Sequence, residues 1–412
     1  MPAVYYLRFT SFPTGYPLFI LENPMRHLRA APLCLLIAVM ACRPQPAAEP
    51  DRGEFQMLAD HVRGRMALSY DCSAGGAVVM QGGEIVYEEY FGALAARPGA
   101  APVDSASRFP FYSVSKGFGA GVLAALVSRG VLALDDPVSK YLPYFTGPGP
   151  DGGFERGNMT VRHLASHSSG VPRDDSPPRM WPDGDPFHDL VLKFEPGTSF
   201  LYSELAMRLL GHVMAAAAGR PYEQLLADYV TGPLGLESVG YIFQGGELGN
   251  VVESGVGLDT SRVFFSDEFG AGPYPGSGLY GSLRDIARYA QAWIDGGSSS
   301  DGRRVWEDSY TRTAWRNQPP EREPDPAYGQ LFWLFPQVGA VVFSGMAGTI
   351  CAMLPNENML LVMGLNQRNH SRGWDFATEK LNLARIGHAI LAQQNWRSEP
   401  DRSRRIQPDL RG

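Results

Sequence analysis

Apolar and polar positions divide the chain into successive predicted strands and helices. From 74 to 92, apolar residues alternate around a Gly-Gly pair, which predicts a β-hairpin. The stretch before it, from about Glu54 to Tyr70, has the spacing of a helix. The apolar run that follows Ser113 continues for four turns, to Gly130, and predicts a helix buried on every side.

The rest of the chain changes from irregular to strand-like. Between about 135 and 275 it is rich in proline, glycine and short helical stretches, and an amphipathic helix is predicted over 282–296. Short apolar segments then predict strands at 329–336, 339–345, 349–355 and 359–366. A closing helix is predicted from about Trp374 to Gln393.

Strands at both chain ends around a helical block predict the fold class. We expect an α/β (α+β) domain whose mostly antiparallel sheet is built from both chain ends and flanked by helices. The block at about 135–275 would be an inserted, mainly helical domain. Residues 53–395 would form this domain, and the charged residues 396–412 a disordered tail.

The first 52 residues have the pattern of an extension, an export signal and a linker. From Met25 the chain has a basic start, a short apolar run from Leu33, and Ala41 before Cys42, as in bacterial lipoprotein signals. The run is far shorter than the roughly 20 residues of a membrane-spanning helix. We expect a protein of the bacterial cell envelope, periplasmic or lipid-anchored through Cys42, with a plain cleaved signal or a short anchor as the alternative. Residues 1–24 would precede the true translation start.

Composition and charge exclude several function classes. The net charge is −7 and no basic cluster is interleaved with aromatic residues, so nucleic acid is not an expected partner. His163 and His167 lie four apart but lack the glutamate of an HExxH motif, so neither a metal nor another cofactor is expected. Cys72 and Cys351 are expected to be buried free thiols, with a disulfide as the alternative.

Ser113 and Lys116 are the first candidate catalytic residues, and lysine is scarce in this chain. The 36 basic residues include only four lysines, and Lys116 follows Ser113 by three positions, on the same helix face. A lysine desolvated among apolar side chains can have a lowered pKa and take the serine proton, which arginine cannot do. The helix N-terminus would favour negative charge on an attacked carbonyl oxygen. The alternative is a serine N-cap followed by a solvated lysine.

Four stretches, in order along the chain, resemble the serine β-lactamase-like superfamily, which includes penicillin-binding proteins, D-amino peptidases and esterases. The similarity is greatest to its class C branch. The matching stretches are FYSVSKGF (111–118), TVRHLASHSSGVP (160–172), FEPGTSFLYSELAMRLLG (194–211) and GSGLYGSLRDIARYAQAWIDGG (276–297). The resemblance covers about 55–395 and implies a β-lactamase/transpeptidase-like fold with Ser113 as nucleophile.

The third stretch implies a catalytic tyrosine and contains a departure from the family. Tyr202 occupies the position of the family's tyrosine, which relays a proton between Ser113 and the leaving group; the alternative is a core aromatic residue. Glu204, expected to be a substrate-binding residue, stands where the family has an asparagine that holds the lysine and a substrate amide. A carboxylate in reach of Lys116 would raise the lysine pKa and weaken it as a base, unless Glu204 points away.

A second departure lies on a predicted strand. Where the family has Lys-Thr-Gly or His-x-Gly, this chain has Phe343-Ser344-Gly345. These three residues are expected to contact substrate, with Gly345 allowing its backbone to approach closely. The N–H groups of Met346 and Ser113 would form the oxyanion hole. Because Phe343 cannot bind a carboxylate, a neutral or hydrophobic acyl substrate is favoured.

The expected function is therefore that of an exported serine hydrolase. It would cleave a small-molecule ester or amide, or a peptide, through a Ser113 acyl-enzyme, with Lys116 and Tyr202 moving protons. One alternative is a β-lactamase or D,D-peptidase acting on cell-wall peptides. Another is a weakened pseudoenzyme that binds cell-wall fragments or a protein partner. Specificity would lie in the loops around 171–195 and 241–275.

Overall fold

The strands that the hydrophobic pattern predicts at the two ends of the chain pair with each other. The computed structural model describes residues 53–69, 71–148, 152–173, 187, 190–242, 249–253, 273–318, 326–367 and 375–398, which all fall in one unit, Arg52–Gly412. The strands are Ala74–Gln81 (β1), Glu84–Gly92 (β2), Phe109–Pro110 (β3), Gly240–Tyr241 (β4), Leu279–Gly281 (β5), Ala327–Tyr328 (β6), Trp333–Phe335 (β7), Ala340–Ser344 (β8), Ile350–Leu354 (β9) and Met359–Leu365 (β10). The α-helices are Gln56–Leu68 (α1), Val114–Ser128 (α2), Val161–Ala165 (α3), Glu204–Ala218 (α4), Tyr222–Leu226 (α5), Leu283–Ile294 (α6), Asp308–Ala314 (α7) and Phe376–Ser398 (α8).

Among the described residues, the main sheet has the strand order β2-β1-β10-β9-β8-β7-β6, and every neighbouring pair is antiparallel. The two ends of the chain meet where β1 pairs with β10, with Gly75 opposite Leu365. The turn between β1 and β2 uses Gly82 and Gly83, both with positive φ, the backbone form that a tight hairpin needs. The predicted antiparallel sheet built from both chain ends, flanked by helices, is thus confirmed.

Both faces of the sheet are buried, because helices cover each of them. Side chains alternate along β1: Val78 and Met80 belong to one apolar cluster, while Ala77 and Val79 belong to the other. Helices α1 and α8 pack on the second face, and α2, α4 and α6 contribute to the first cluster. The inner strands β1, β8, β9 and β10 therefore contain continuous apolar runs instead of strict alternation with polar residues, whereas the edge strand β2 is only partly buried.

Helix α2 lies in the middle of the larger cluster. Every residue from Val114 to Leu126 is buried, as the unbroken apolar run predicts. Its glycines allow neighbours to approach closely: a Cβ at Gly117 would lie 3.0 Å from the ring of Phe343, and one at Gly119 would lie 2.6 Å from Pro275. Larger residues at these two positions would separate α2 from β8 and from the loop at Pro275.

The structure differs from the predicted elements in three places. Of the predicted strand 329–336 only Trp333–Phe335 forms a strand (β7), and β6 lies just before the predicted segment. Between them Leu331 has a positive φ, and its N–H donates to the carbonyl of Ala165. Strand β5, Leu279–Gly281, was not predicted. It is the middle strand of a small antiparallel sheet with the order β3-β5-β4. Helix α8 continues to Ser398, beyond the predicted end at Gln393.

Several predictions fall outside the described residues. They are the export signal with Cys42, the tail after Ser398, and most of the two specificity loops, at 174–186, 188–189, 243–248 and 254–272. No helix in the described part of the chain combines the length and the apolar character needed to cross a membrane. Cys72 and Cys351 are both free thiols, and burial raises the pKa of the Cys72 thiol to about 11.

Candidate active site

Ser113 lies at the junction between β3 and α2. Tyr112, just before it, has a positive φ of 46°, an uncommon value for a non-glycine residue, and this turns the chain from the strand into the helix. Although Ser113 occupies the N-cap position, its side chain makes no capping hydrogen bond. The Ser113 hydroxyl instead accepts a hydrogen bond from Lys116 Nζ at 3.0 Å. This geometry disfavours the alternative of a plain serine cap.

Lys116 is buried, with 2% of its side chain exposed, and it has a partner for each of its three N–H donors. These partners are the Ser113 hydroxyl, the carbonyl of Gly276 at 2.9 Å, and the Glu204 carboxylate in a short salt bridge. The ring centroid of Tyr202 lies 4.9 Å from Nζ. The ammonium form of Lys116 is therefore fully satisfied, and no lone pair faces Ser113 while it persists.

The pKa of Lys116 results from opposing influences. Burial is the largest influence and lowers it, but the electrostatic effects of Tyr202, Glu204 and Tyr274 and the hydrogen bond to Glu204 together outweigh burial. The pKa therefore lies above its ordinary value. The expectation that desolvation would lower the pKa of Lys116 is therefore corrected. Glu204 does not point away from the lysine but forms a salt bridge with it.

The segment Tyr202–Glu204 enters helix α4 and is fixed by backbone hydrogen bonds. Ser203 is the N-cap: its hydroxyl accepts from the N–H of Ala206 at 3.0 Å and donates to the carbonyl of Pro172 at 2.8 Å. The Ser203 N–H donates to Nδ1 of buried His167 at 3.2 Å. Tyr202 and Glu204 thus flank an anchored residue, and both side chains line the same pocket.

Both predicted histidines have structural partners. His163 accepts a hydrogen bond from the Thr160 N–H within the capping box of α3. The His167 ring packs on Tyr202 with 4.3 Å between centroids, and burial holds its pKa well below its ordinary value. His167 is therefore a neutral support for Tyr202 and Ser203.

The end of β8 reaches the nucleophile segment. A Cβ built on Gly345 would lie 2.0 Å from the carbonyl oxygen of Phe111 and 3.4 Å from the Ser113 nitrogen. The close approach at Gly345 is therefore made by the protein's own backbone, where substrate was expected. In the described part of the chain, the N–H groups of Ser113 and Met346 donate to no other protein group, as an oxyanion hole requires.

Gly345→Ala is expected to reduce kcat/KM roughly 100-fold or more, the cost of losing one oxyanion donor. A methyl group at 345 must displace either the end of β8 or the backbone at Phe111, and both carry the site. Steady-state kinetics and thermal melting measure the effect. The matched control is Gly64→Ala in α1, where a Cβ meets nothing within 4 Å. Equal kinetics for Gly345→Ala and wild type would contradict this placement of the strand.

Phe343 does not line the pocket. Its side chain is 2% exposed and packs in the core between Gly117, Tyr289 and Phe332. Ser344, Gly345 and Met346 do line it. The expectation that Phe343 contacts substrate is thus corrected. Its ring packs against α2 at Gly117, and the side chain at position 343 brings no charge into the site.

The pocket in front of Ser113 has a volume of about 630 Å³, suited to a small organic ligand. Six of its lining residues are aromatic and six are polar or charged. The walls are formed by Tyr112, Ser113, Arg173, Phe200, Tyr202, Glu204, Tyr274, Ser277, Trp333, Ser344, Gly345, Met346, Phe376 and Lys380. Lys380 was not anticipated as a pocket residue; the scarcity of lysine was the one signal in the sequence that could have indicated it.

Comparison with known proteins finds relatives by sequence and by fold. The family model described as Beta-lactamase matches residues 58–384. The chain is 30% identical over 292 residues to the D-alanyl-D-alanine-carboxypeptidase/endopeptidase AmpH of Escherichia coli, covering 65% of this chain and 69% of that protein. It is 30% identical over 265 residues to esterase EstB of Burkholderia gladioli, covering 52% and 64%. The solved structure of EstCE1, a hydrolase with promiscuous acyltransferase activity, has the same fold, with a TM-score of 0.63, 20% identity and coverage of 82% and 97%.

Proposed function

The chain belongs to the β-lactamase family of serine hydrolases, and from that premise we propose that it cleaves an ester or amide through an acyl-enzyme on Ser113. The observation that carries this proposal is the 3.0 Å hydrogen bond from Lys116 to a serine hydroxyl that caps no helix. Ser113 Oγ attacks the carbonyl carbon of the substrate. The N–H groups of Ser113 and Met346 stabilise the oxyanion, and water later releases the acyl group.

Proton transfer involves Lys116 and Tyr202. In its ammonium form Lys116 holds and orients the Ser113 hydroxyl but cannot accept its proton, because all three N–H groups are donors. It becomes a base only after losing one proton, which its raised pKa makes rare at neutral pH. Tyr202, whose ring packs on His167 and Trp333, is placed to relay the proton to the leaving group.

The acyl group is proposed to be hydrophobic. Phe200, Tyr202, Trp333 and Phe376 give the pocket an aromatic wall, and the family's basic residue on β8 is replaced by Phe343, whose ring is buried. The second candidate function is that of a D-alanyl-D-alanine carboxypeptidase or endopeptidase, and the 30% sequence identity to AmpH favours it. A pseudoenzyme is disfavoured because Ser113, Lys116 and Tyr202 meet around one pocket.

A hydrolysis panel distinguishes these candidates. It contains 4-nitrophenyl esters of short and long acyl chains, a cephalosporin and D-Ala-D-Ala peptides, with a fluorophosphonate probe to trap the nucleophile. An esterase turns over the nitrophenyl esters faster than the peptides, and a carboxypeptidase does the reverse. A chain that hydrolyses none of them and is not labelled would be a binding protein, contrary to the proposal.

We further propose that the protein is exported and anchored by lipid on Cys42, on the basis of the signal pattern from Met25. The mature protein expressed in a Gram-negative host is expected to begin at Cys42, to carry diacylglycerol there and to sediment with membranes. Intact-mass and N-terminal peptide mass spectrometry measure this. An unmodified N-terminus after Cys42 would contradict the lipid anchor and leave export alone.

A further inference from the structure

A second lysine, Lys380, reaches the pocket. Lys380 lies in the second turn of α8, and its side chain lines the cavity although only 4% of the residue is exposed. Its Nζ lies 3.9 Å from the ring centroid of Trp333 and 5.9 Å from that of Phe376. The ammonium is thus placed over the aromatic wall to which the acyl group is assigned.

The charges around the pocket do not cancel. Glu204 forms its salt bridge with Lys116. Among the described residues, no carboxylate forms a salt bridge with Lys380 or with Arg173, the other cation on the wall, whose Nε donates to the carbonyl of Tyr202. The carboxylate whose charge acts on Lys380 is that of Asp375, the residue just before α8. The described wall therefore carries an excess of positive charge.

Burial makes this arrangement costly for Lys380 when the pocket is empty. Desolvation lowers its pKa to about 7, while Asp375 acts in the opposite direction. An anion bound beside Lys380 Nζ would supply the missing partner in a poorly solvated place, where the attraction between charges is stronger than in water. Neutral ligands would leave the ammonium unpaired.

We infer that Lys380 binds a carboxylate of the substrate, so that the preferred substrate is an acyl compound with a hydrophobic acyl portion and one negative charge. The inference rests on the proposed acyl-enzyme chemistry at Ser113 and refines its substrate class. It also replaces the expectation, based on Phe343, of a neutral substrate. The basic side chain that β8 lacks is supplied by Lys380 on α8.

The test uses pairs of esters of equal length. The 4-nitrophenyl monoesters of glutaric, adipic and suberic acid are compared with 4-nitrophenyl pentanoate, hexanoate and octanoate. Wild-type protein is expected to favour the charged ester at the length that reaches Lys380, and Lys380→Met to lower kcat/KM for that ester about 10- to 100-fold. The neutral esters should change less than about twofold. Lys140→Met, which removes an exposed lysine outside the pocket, is the matched control.

The arginine variant and pH provide a second readout. Lys380→Arg should keep the preference for the charged ester, because it keeps the cation. In wild type the charged-to-neutral ratio of kcat/KM should fall as pH rises above about 7, whereas in Lys380→Arg it should not change. The ratio cancels the titration of Lys116, which serves both esters, and the hydrogen bonds from Thr378 lower the pKa of Asp375, so this carboxylate stays charged over this range.

Binding separates failure of this inference from failure of the proposed function. The adipic monoester is titrated calorimetrically into Ser113→Ala and into Ser113→Ala/Lys380→Met. Weaker binding to the double variant supports the carboxylate site even if no ester is hydrolysed. Equal binding, or a Lys380→Met variant that loses activity equally on charged and neutral esters, would overturn the inference.

Discussion

Ser113→Ala is expected to abolish acyl labelling and to lower esterase kcat by about 10⁴-fold or more, because no acyl-enzyme can form. The oxyanion donors and the pocket would remain, so weak binding should persist. The variant should fold normally. In wild type the Ser113 hydroxyl makes no capping hydrogen bond. The loss of stability on its removal should therefore stay below the roughly 1 kcal/mol that a serine cap contributes.

Mass spectrometry after fluorophosphonate treatment measures this prediction. In wild type the adduct should lie on the peptide that contains Ser113. Ser277 lines the same pocket and provides the control: Ser277→Ala should keep the adduct on Ser113. Labelling that survives in Ser113→Ala would place the nucleophile on another residue, and circular dichroism would show whether a loss of labelling came from unfolding.

The sheet and the nucleophile helix could be predicted from the sequence because their apolar patterns are strong. The hairpin has the Gly82-Gly83 turn signal between two strand-like stretches, and in α2 every residue from Phe118 to Val127 is apolar or glycine. The small sheet was missed because β3, β4 and β5 have only two or three residues each. Such short strands depend on tertiary contacts and leave no periodicity in the sequence.

The neighbourhood of the site could be predicted only in part. Spacing and family resemblance placed Ser113, Lys116, Tyr202 and Glu204 together, and the structure gathers them around one pocket. Two points depended on the fold. The ring of Phe343 turns into the core because Gly117 leaves room for it. Lys380 enters the pocket because α8 packs beside β8, a contact that neither spacing nor motif encodes.

Glu204→Asn is expected to move the alkaline-rising limb of the kcat/KM profile about 1–3 pH units toward lower pH. In wild type the carboxylate holds Lys116 as an ammonium, so the reactive amine is rare at neutral pH. Removing a negative neighbour lowers a lysine pKa, and burial, the largest influence on Lys116, acts in the same direction. Activity at pH 8 should therefore rise about tenfold for every pH unit that the limb moves.

Two companion variants separate charge from shape. Glu204→Gln removes the charge at nearly constant length and should shift the limb as asparagine does, whereas Glu204→Asp keeps the charge and should leave the limb near its wild-type position. The limb reports the base of the free enzyme. A limb that stays in place in Glu204→Asn would mean that deprotonation of Lys116 does not limit acylation. A limb that moves upward would contradict Lys116 as the base, because its pKa must fall when Glu204 is neutralised, and Tyr202 would remain as the proton acceptor.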